Sequence, residues 1–223
     1  MSAAAAGFVA HGATHPAPLD IPALVGAAGW ARLCPAIRRR FAPGHAADAP
    51  VYRGSLTLDR SAIGAVFALF SLILGGPLPL RRARDAPAEV RVREDGAGGV
   101  VWERWLQLAP GRAHCIRSTK RLGPDGALLE CTEGGLGMVL AVFEAEGALV
   151  FESRAYFLDL FGGGLRIPLP ALFTPGRCRV AHSAEDRSDR RFRFTMDMTH
   201  PLWGRCFHQT GVFEDPAPLP IAR

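Results

Sequence analysis

The stretch of sequence that decides the fold is Arg191-Phe192-Arg193-Phe194-Thr195-Met196-Asp197-Met198-Thr199. Its apolar side chains occupy every second position, and polar side chains fill the positions between them. This alternation is typical of a β-strand with one face in a core and the other face toward water or a polar cavity. A turn at 200–204 and further β-rich sequence to about Phe213 follow, so this part of the chain predicts a hairpin.

The same kind of pattern extends over most of the chain. β-rich runs at about 51–58 and between 88 and 214 are separated by turn sequences rich in Gly, Pro and Asp. Such spacing is typical of an antiparallel meander. About nine or ten successive strands tend to close on themselves, because closure removes exposed strand edges. We therefore predict a mainly β (α+β) fold, an antiparallel β-meander closed into a barrel or strongly curved sheet.

Two apolar segments, at about 21–41 and 61–74, predict helices that pack at one end of the barrel or across its mouth. Pro35 lies inside the first segment, which favours two short helices that meet there. The second segment spans about 21 Å as a helix, too short for the roughly 30 Å hydrocarbon core of a membrane. Because it is apolar on all sides, we expect it to be buried on all sides. A partner surface and peripheral contact with a membrane are the alternatives.

Length and composition indicate one domain. The chain has 223 residues, of which 48% are hydrophobic and 21% charged, as is ordinary for soluble globular proteins. We expect a disordered tail at 1–20, a single domain at 21–215 and a C-terminal tail at 216–223. The tail at 1–20 lacks the basic start and the uninterrupted apolar run of a secretory signal. The five cysteines are widely spaced and favour reduced thiols without a metal site. We therefore expect a cytoplasmic protein.

The charge of the chain does not indicate a nucleic-acid partner. The formal net charge is +5, but Lys120 is the only lysine, and Ala, Gly and Pro are abundant. This bias suggests a GC-rich bacterial genome. The arginines are scattered along the chain, whereas nucleic-acid-binding proteins concentrate basic residues and interleave them with stacking aromatic side chains. We therefore predict no nucleic-acid partner.

Several short patterns occur in a characteristic order. They are an N-terminal helix at 30–39, Trp102-Glu103-Arg104 followed by Ser118, Leu128-Leu129-Glu130, Ile167-Pro168-Leu169-Pro170, and Phe192-Arg193-Phe194 followed by Pro201-Leu202-Trp203-Gly204. Together they resemble a bacterial family known as domain of unknown function 4166, over about 21–214. Gln209 is a departure, because the family tends to have a tyrosine there.

The resemblance also implies a partner. In that family the domain often follows a saccharopine-dehydrogenase-like NAD-binding domain in one chain. Here no G-x-G-x-x-G pattern follows a strand, so the resemblance implies a stand-alone version of an accessory domain. The resemblance supplies no established activity and no catalytic residues. We expect no cofactor.

Charged residues within the β-rich runs are the candidate binding residues. If the barrel encloses a cavity, one set of alternating side chains lines it, and inward charges must be paired because an unpaired buried charge is costly. Such a cluster orients a ligand's carboxylate or polarises a carbonyl. The alternative is a solvated outer face. With aromatic wall residues, the candidates are Trp102, Arg104, Arg117, Glu130, Glu152, Arg154 and Tyr156. Arg104 and Glu130 also belong to the family-like patterns.

Three functional hypotheses follow. The first is a barrel that binds a small, largely apolar metabolite. The second is a cofactor-independent isomerase or cyclase that uses Arg104 and Glu130, which requires both side chains to converge in one cavity. The third is an interaction subunit that docks onto a separate saccharopine-dehydrogenase-like, NAD-dependent oxidoreductase. Its contact surface would be the helix at 61–74 or a patch near Trp203.

Overall fold

The computed structural model describes residues 18–109, 111–160, 165–185 and 190–216, and eleven β-strands account for most of them. The strands are β1 (Val51–Arg60), β2 (Ala83–Glu94), β3 (Val100–Ala109), β4 (Arg112–Leu122), β5 (Leu128–Thr132), β6 (Leu136–Ala145), β7 (Ala148–Leu160), β8 (Leu165–Leu169), β9 (Arg177–Ala184), β10 (Arg191–His200) and β11 (Gly204–Glu214). The helices are α1 (Ile21–Val25), α2 (Ala27–Arg32), α3 (Pro35–Phe41) and α4 (Ala62–Ser71). Short 3-10 helices lie at His45–Asp48, Leu72–Leu74 and Ala171–Phe173.

Ten strands close into an antiparallel barrel. Their order is β6-β5-β4-β3-β2-β1-β11-β10-β9-β7, and pairing of β6 with β7 closes the ring, while β8 is added beside β7. The predicted fold class is confirmed. β2 begins five residues before the predicted start of the meander, at Ala83, so its start was incompletely predicted.

β10 shows how the sequence pattern builds the core. Phe192, Phe194, Met196 and Met198 are buried inside the barrel, and the polar residues between them are more exposed. Because side chains alternate between the faces of a strand, this single run determines which way β10 faces.

The barrel has two distinct ends. The β2–β3, β4–β5 and β6–β7 turns lie at the end that carries α1, α2 and α3, which we call the α3 end. The β3–β4, β5–β6 and β10–β11 turns lie at the opposite end with α4, which we call the α4 end. The first helical segment contains three short helices instead of two, because Gly26 adopts a positive φ of 81° and separates α1 from α2 before Pro35 begins α3.

α4 packs against the barrel on one side only. Its inner face contains the buried residues Gly64, Ala68 and Ser71. On its other side Leu69 is 58% exposed and Phe70 is 65% exposed. The expectation that this segment is buried on all sides was therefore wrong: a helix that crosses the end of a barrel has a partner beneath it and none above it.

The predicted tails fall largely outside the described residues, which begin at 18 and end at 216. Within the described part of the N-terminal segment, the Leu19 amide donates a 2.8 Å hydrogen bond to the Gly98 carbonyl in the β2–β3 turn. In the segments that the structure describes, no helix is long and apolar enough to span a membrane.

Candidate functional site

A cavity of about 100 Å³ lies inside the barrel. Inward-facing side chains of the strands line it, and most of them are apolar, such as Leu106, Ile116, Met138 and Met196. Since a single water needs only about 10–15 Å³, this cavity is large enough for a small organic group.

One wall of the cavity carries a polar cluster made of Arg104, Ser118, Lys120 and Glu130. The strand register brings them together, because Lys120 lies directly opposite Glu130 on β4 and β5. Lys120 Nζ is 2.9 Å from Glu130 Oε1. The Ser118 hydroxyl donates to the same oxygen at 2.7 Å, and Arg104 Nη2 donates to Ser118 Oγ at 3.4 Å.

The polar cluster has more positive than negative charge. Arg104 and Lys120 are cationic groups, and among the described residues that line the cavity Glu130 is the only carboxylate. Burial tends to raise the pKa of Glu130, but the charges of Lys120 and Arg104 and the Ser118 hydrogen bond outweigh it and hold this pKa below its usual value. Glu130 is therefore an ionised carboxylate at neutral pH.

Lys120 experiences the opposite balance. Burial lowers the pKa of its ammonium group, the Glu130 carboxylate raises it, and the Arg104 charge lowers it further, so that the net direction is downward. Two cations that share one anion in a poorly solvated cavity favour either loss of a proton or the arrival of a ligand with negative charge or strong acceptor atoms.

Five buried nitrogen atoms around the cavity have no hydrogen-bond partner among the described residues: Arg40 Nε and Nη1, Arg104 Nε, Trp102 Nε1 and His182 Nδ1. A buried polar group without a partner costs about 1–3 kcal/mol, and such groups are rare in native structures. Burial, followed by the charges of Arg40, Lys120 and Arg104, lowers the pKa of His182 well below its usual value. Its ring is therefore neutral at neutral pH.

Two residues of α3 close the cavity at the α3 end. The Phe41 ring stacks on Trp102 at a centroid distance of 5.5 Å and meets His182 edge-on at 5.0 Å. The Arg40 guanidinium carbon lies 3.1 Å from the centroid of Phe192 and 4.1 Å from that of Tyr52. Burial lowers the pKa of Arg40 to about 10, so it stays charged and is stabilised by the aromatic faces.

A second cavity, of about 460 Å³, lies outside this closure, between the start of the described chain and the β2–β3 turn. Arg40, Phe41, Trp102, Lys120 and Phe151 border both cavities. The Lys120 side chain is 12% exposed. Lys120 is therefore accessible to a small molecule from either side of the aromatic closure.

Four predicted site residues lie on the wall of the inner cavity: Trp102, Arg104, Glu130 and Tyr156. Tyr156 donates a 2.8 Å hydrogen bond to the Gly176 carbonyl, so its hydroxyl is already occupied. Arg104 and Glu130 converge on Ser118, which meets the geometric condition of the isomerase hypothesis. That any of the four binds a ligand stays a prediction.

The other three predicted site residues, Arg117, Glu152 and Arg154, are not on the cavity wall. Arg117 pairs with Glu103 at 2.9 Å and also with Glu133. Glu152 lies between Arg154, at 3.2 Å, and Arg179, at 3.6 Å. These ion pairs lie on the outer face of the barrel, with Glu152 buried between its two partners.

A β-bulge explains why residues 152, 154 and 156 do not share one face of β7. The register of β7 against β6 shifts between the pairs Val139–Ala155 and Leu140–Ser153. A bulge inserts one extra residue and reverses the alternation on its far side. Tyr156 therefore points inward, whereas Glu152 and Arg154 do not.

Sequence reasoning missed Lys120, Ser118, Arg40 and His182 as wall residues. A signal was present for two of them: Ser118 and Lys120 are two residues apart on one strand, and Lys120 is the only lysine in the chain. No comparable signal existed for Arg40, because its position depends on how α3 docks onto the barrel.

In the described part of the chain, no group of three or more His, Cys, Asp or Glu residues is arranged to hold a metal ion. No curated protein matches the sequence. The model of one family, described as a domain of unknown function (DUF4166), matches residues 33–213, which covers nine of the barrel strands completely and β11 up to Phe213. The chain therefore belongs to the DUF4166 family.

Proposed function

We propose that this protein binds a small, largely apolar molecule inside the barrel, with an oxygen-bearing end placed against the polar cluster. The observation that supports this is a cavity of mostly apolar walls in which Arg104 and Lys120 share a single carboxylate, Glu130. A ligand of mixed character fits such a cavity, because apolar walls supply affinity and a few convergent polar groups fix orientation.

The unpaired donors indicate which chemical groups suit the polar end. Arg104 Nε and Trp102 Nε1 are both donors without a partner among the described residues, so they favour an acceptor oxygen. A carbonyl or a carboxylate provides one, and a carboxylate also balances the excess positive charge. The ligand class is therefore a short-chain or monocyclic aldehyde, ketone or carboxylic acid.

A matched series of compounds tests this proposal. Native mass spectrometry and calorimetry with hexanal, hexanoate and hexane should show binding of the first two and much weaker binding of hexane. The variant Arg104→Met should weaken hexanoate binding by about tenfold or more, equivalent to about 1.4 kcal/mol. Arg117→Met is the matched control on the outer face and should bind like the unmodified protein. Equal losses in both variants, or no binding of any compound, would contradict the proposal.

A second candidate is catalysis of isomerisation, supported by the convergence of Arg104 and Glu130 on Ser118. Glu130 is ionised, as a general base must be, and Arg104 could stabilise an enolate oxygen. Deuterium exchange at the α-carbon of cyclohexanone, followed by NMR, tests this activity. The unmodified protein should catalyse this exchange faster than the Glu130→Gln variant. Equal rates for both proteins would rule out catalysis by Glu130.

A third candidate is an interaction role at the α4 end, supported by the exposed apolar side of α4. Phe70, Ile73 and Trp203 are 65%, 84% and 46% exposed. The ring of Phe67, which belongs to α4, has its centroid 6.0 Å from that of Trp203. The partner proposed for this surface is a separate saccharopine-dehydrogenase-like oxidoreductase, which is the partner that the family resemblance implies. All five cysteines are free thiols, in agreement with the expected cytoplasmic location.

Co-expression with such an oxidoreductase tests the third candidate. A complex should form with the unmodified protein and be lost with the double variant Phe70→Asp, Ile73→Asp. Replacing outer-face residues of the barrel, as in Arg154→Asp, should leave the complex intact. If no complex forms and the protein instead sediments with lipid vesicles, the same apolar side would be a membrane-contact surface.

A further inference from the structure

The position of Lys120 is unusual for a chain of this composition. Of the 26 Lys and Arg residues, Lys120 alone is a lysine, and it faces the interior of the barrel. Arginine serves equally well for surface solubility and better for ion pairs, but its guanidinium is always protonated and cannot act as a nucleophile. Lysine differs in this respect, because its neutral amine is a good nucleophile toward carbonyl carbon.

The surroundings of Lys120 act on its proton in opposite directions. Burial and the Arg104 charge favour loss of the proton, and the net effect lowers the pKa of Lys120. The faces of Trp102 and Phe151, whose centroids lie 5.3 Å from Nζ, and the Glu130 carboxylate favour the ammonium form. Burial is the main cause that lowers its pKa. A desolvated lysine beside a second cationic group is the arrangement that activates lysine for Schiff-base formation.

The polar cluster also supplies the other groups that imine formation needs. Glu130 Oε1 is 2.9 Å from Lys120 Nζ, within reach to accept and return a proton. Arg104 Nε has no partner among the described residues and lies on the same wall, where it could hold a carbonyl oxygen. Cys178, another potential nucleophile on the wall, stays a thiol because burial raises its pKa to about 12.

We propose that Lys120 forms an imine with a small apolar aldehyde or ketone held in the cavity. The inference rests on the proposed binding function and names the ligand class within it. Glu130 takes a proton from the Lys120 ammonium and delivers it to the carbonyl oxygen as the amine lone pair attacks the carbonyl carbon, which gives a carbinolamine with a protonated nitrogen. Glu130 then takes a second proton from this nitrogen and delivers it to the hydroxyl, which leaves as water when the C=N bond forms. The product is a protonated imine. No oxidant or reductant is required.

Reductive trapping tests the inference directly. Hexanal and sodium cyanoborohydride should convert the imine to a stable secondary amine, adding one hexyl group to the protein. Peptide mapping should locate this group on Lys120. Assignment is simple because the given sequence contains one lysine, so the α-amino group of the chain is the competing amine. We expect Lys120 to be labelled at least about tenfold faster than the chain amino group. This corresponds to an activation free energy that is lower by about 1.4 kcal/mol.

Variants and a competitor make the test specific. Lys120→Arg keeps the positive charge and should abolish the internal label, and Glu130→Gln should slow it by about tenfold or more. Arg117→Met, on the outer face, should be labelled like the unmodified protein. Should Lys120→Arg fail to fold, excess hexanoate provides a second measurement, since it should protect Lys120 of the unmodified protein from the label.

The possible outcomes separate the two proposals. A rapid label on Lys120 that hexanoate suppresses supports both. Hexanal that binds in native mass spectrometry without labelling Lys120, or that labels it no faster than the chain amino group, overturns imine formation and leaves the binding function standing. No binding of hexanal or hexanoate, with no label, overturns both.

Discussion

The α3 end and the α4 end of the barrel are closed by helices in different ways. At the α3 end, Phe41 and Arg40 insert side chains among the aromatic rings of the interior. At the α4 end, the helix approaches the barrel by its backbone, since a Cβ on Gly64 would overlap the Cys206 carbonyl oxygen. Side-chain insertion buries apolar area and gives a specific closure, whereas the backbone contact of α4 leaves Val66, Leu69 and Phe70 exposed.

This difference suggests a division of labour. The α3 end borders both cavities and carries Arg40 and Lys120, so in the proposed function it would select what the barrel holds. The α4 end carries exposed apolar residues, Phe70 and Ile73 among them, so in the proposed interaction role it would contact the partner. The difference in closure leads to different expected effects of substitution at the two ends.

The largest expected effect is at Phe41. Phe41→Ala removes a buried ring that contacts Trp102, Phe151 and His182. Such truncations cost about 3–5 kcal/mol, so the free energy of unfolding in urea should fall by about that amount. The control Phe70→Ala, on the exposed side of α4, should change it by less than about 0.5 kcal/mol. Similar losses in both variants would show that the ends are equally packed.

The next effect is at the α4 end itself. Gly64→Ala forces the helix away from the Cys206 carbonyl, and overpacking of this kind costs about 1–3 kcal/mol. Urea unfolding should show the loss, although alanine has the higher helix propensity. Val66→Ala, on the exposed side of the same helix, changes the side chain by two carbon atoms instead of one but should have almost no effect on the free energy of unfolding. If Gly64→Ala stabilised the protein instead, α4 would be loosely attached.

The α3 end should also make stability depend on pH through His182. The pKa of this residue is lowered well below its usual 6.5 in the folded state. Below about pH 6.5 the unfolded chain therefore binds a proton that the folded protein does not. The free energy of unfolding should fall as the pH decreases through that value, with a slope approaching about 1.4 kcal/mol per pH unit.

The variant His182→Phe tests the origin of that slope. A phenyl ring suits the aromatic surroundings of Phe41, Phe151 and Phe194 and carries no proton, so the slope below pH 6.5 should become smaller. It should not vanish, because burial also lowers the pKa of His45. Urea unfolding at several pH values measures it, and an unchanged slope would assign the pH dependence to other groups.

The fold was largely predictable because its signal is local. The alternation in β10 is visible in nine residues, and turn sequences mark the other strands, so a closed meander follows from edge protection alone. The site was only half predictable, since it depends on which face of each strand turns inward. Arg104 and Glu130 were predicted, but Lys120, on the strand between them, was interpreted as an effect of genome composition.

Two features lay beyond sequence reasoning for physical reasons. The bulge in β7 reverses the alternation between Arg154 and Tyr156, and no glycine or proline marks it in the sequence. The exposure of α4 depends on whether another element packs on its outer side. The apolar composition of 61–74 does not contain this information. Both errors concern long-range context, which a local pattern does not contain.

The smallest predicted effect compares the only two tyrosines of the chain, which lie toward opposite ends of the barrel. The Tyr156 hydroxyl donates to the buried Gly176 carbonyl, whereas the Tyr52 hydroxyl is hydrogen-bonded to the half-buried His45. Removal of either hydroxyl by Tyr→Phe should cost about 0.5–1.5 kcal/mol. Tyr156→Phe should cost more, because it leaves a buried acceptor without its donor, while water can reach His45 in Tyr52→Phe. Urea unfolding of both variants measures the order. A larger loss of free energy of unfolding in Tyr52→Phe than in Tyr156→Phe would contradict this order. It would mean that the hydrogen bond between Tyr52 and His45, at the α3 end, is shielded from water as well as the aromatic rings around it.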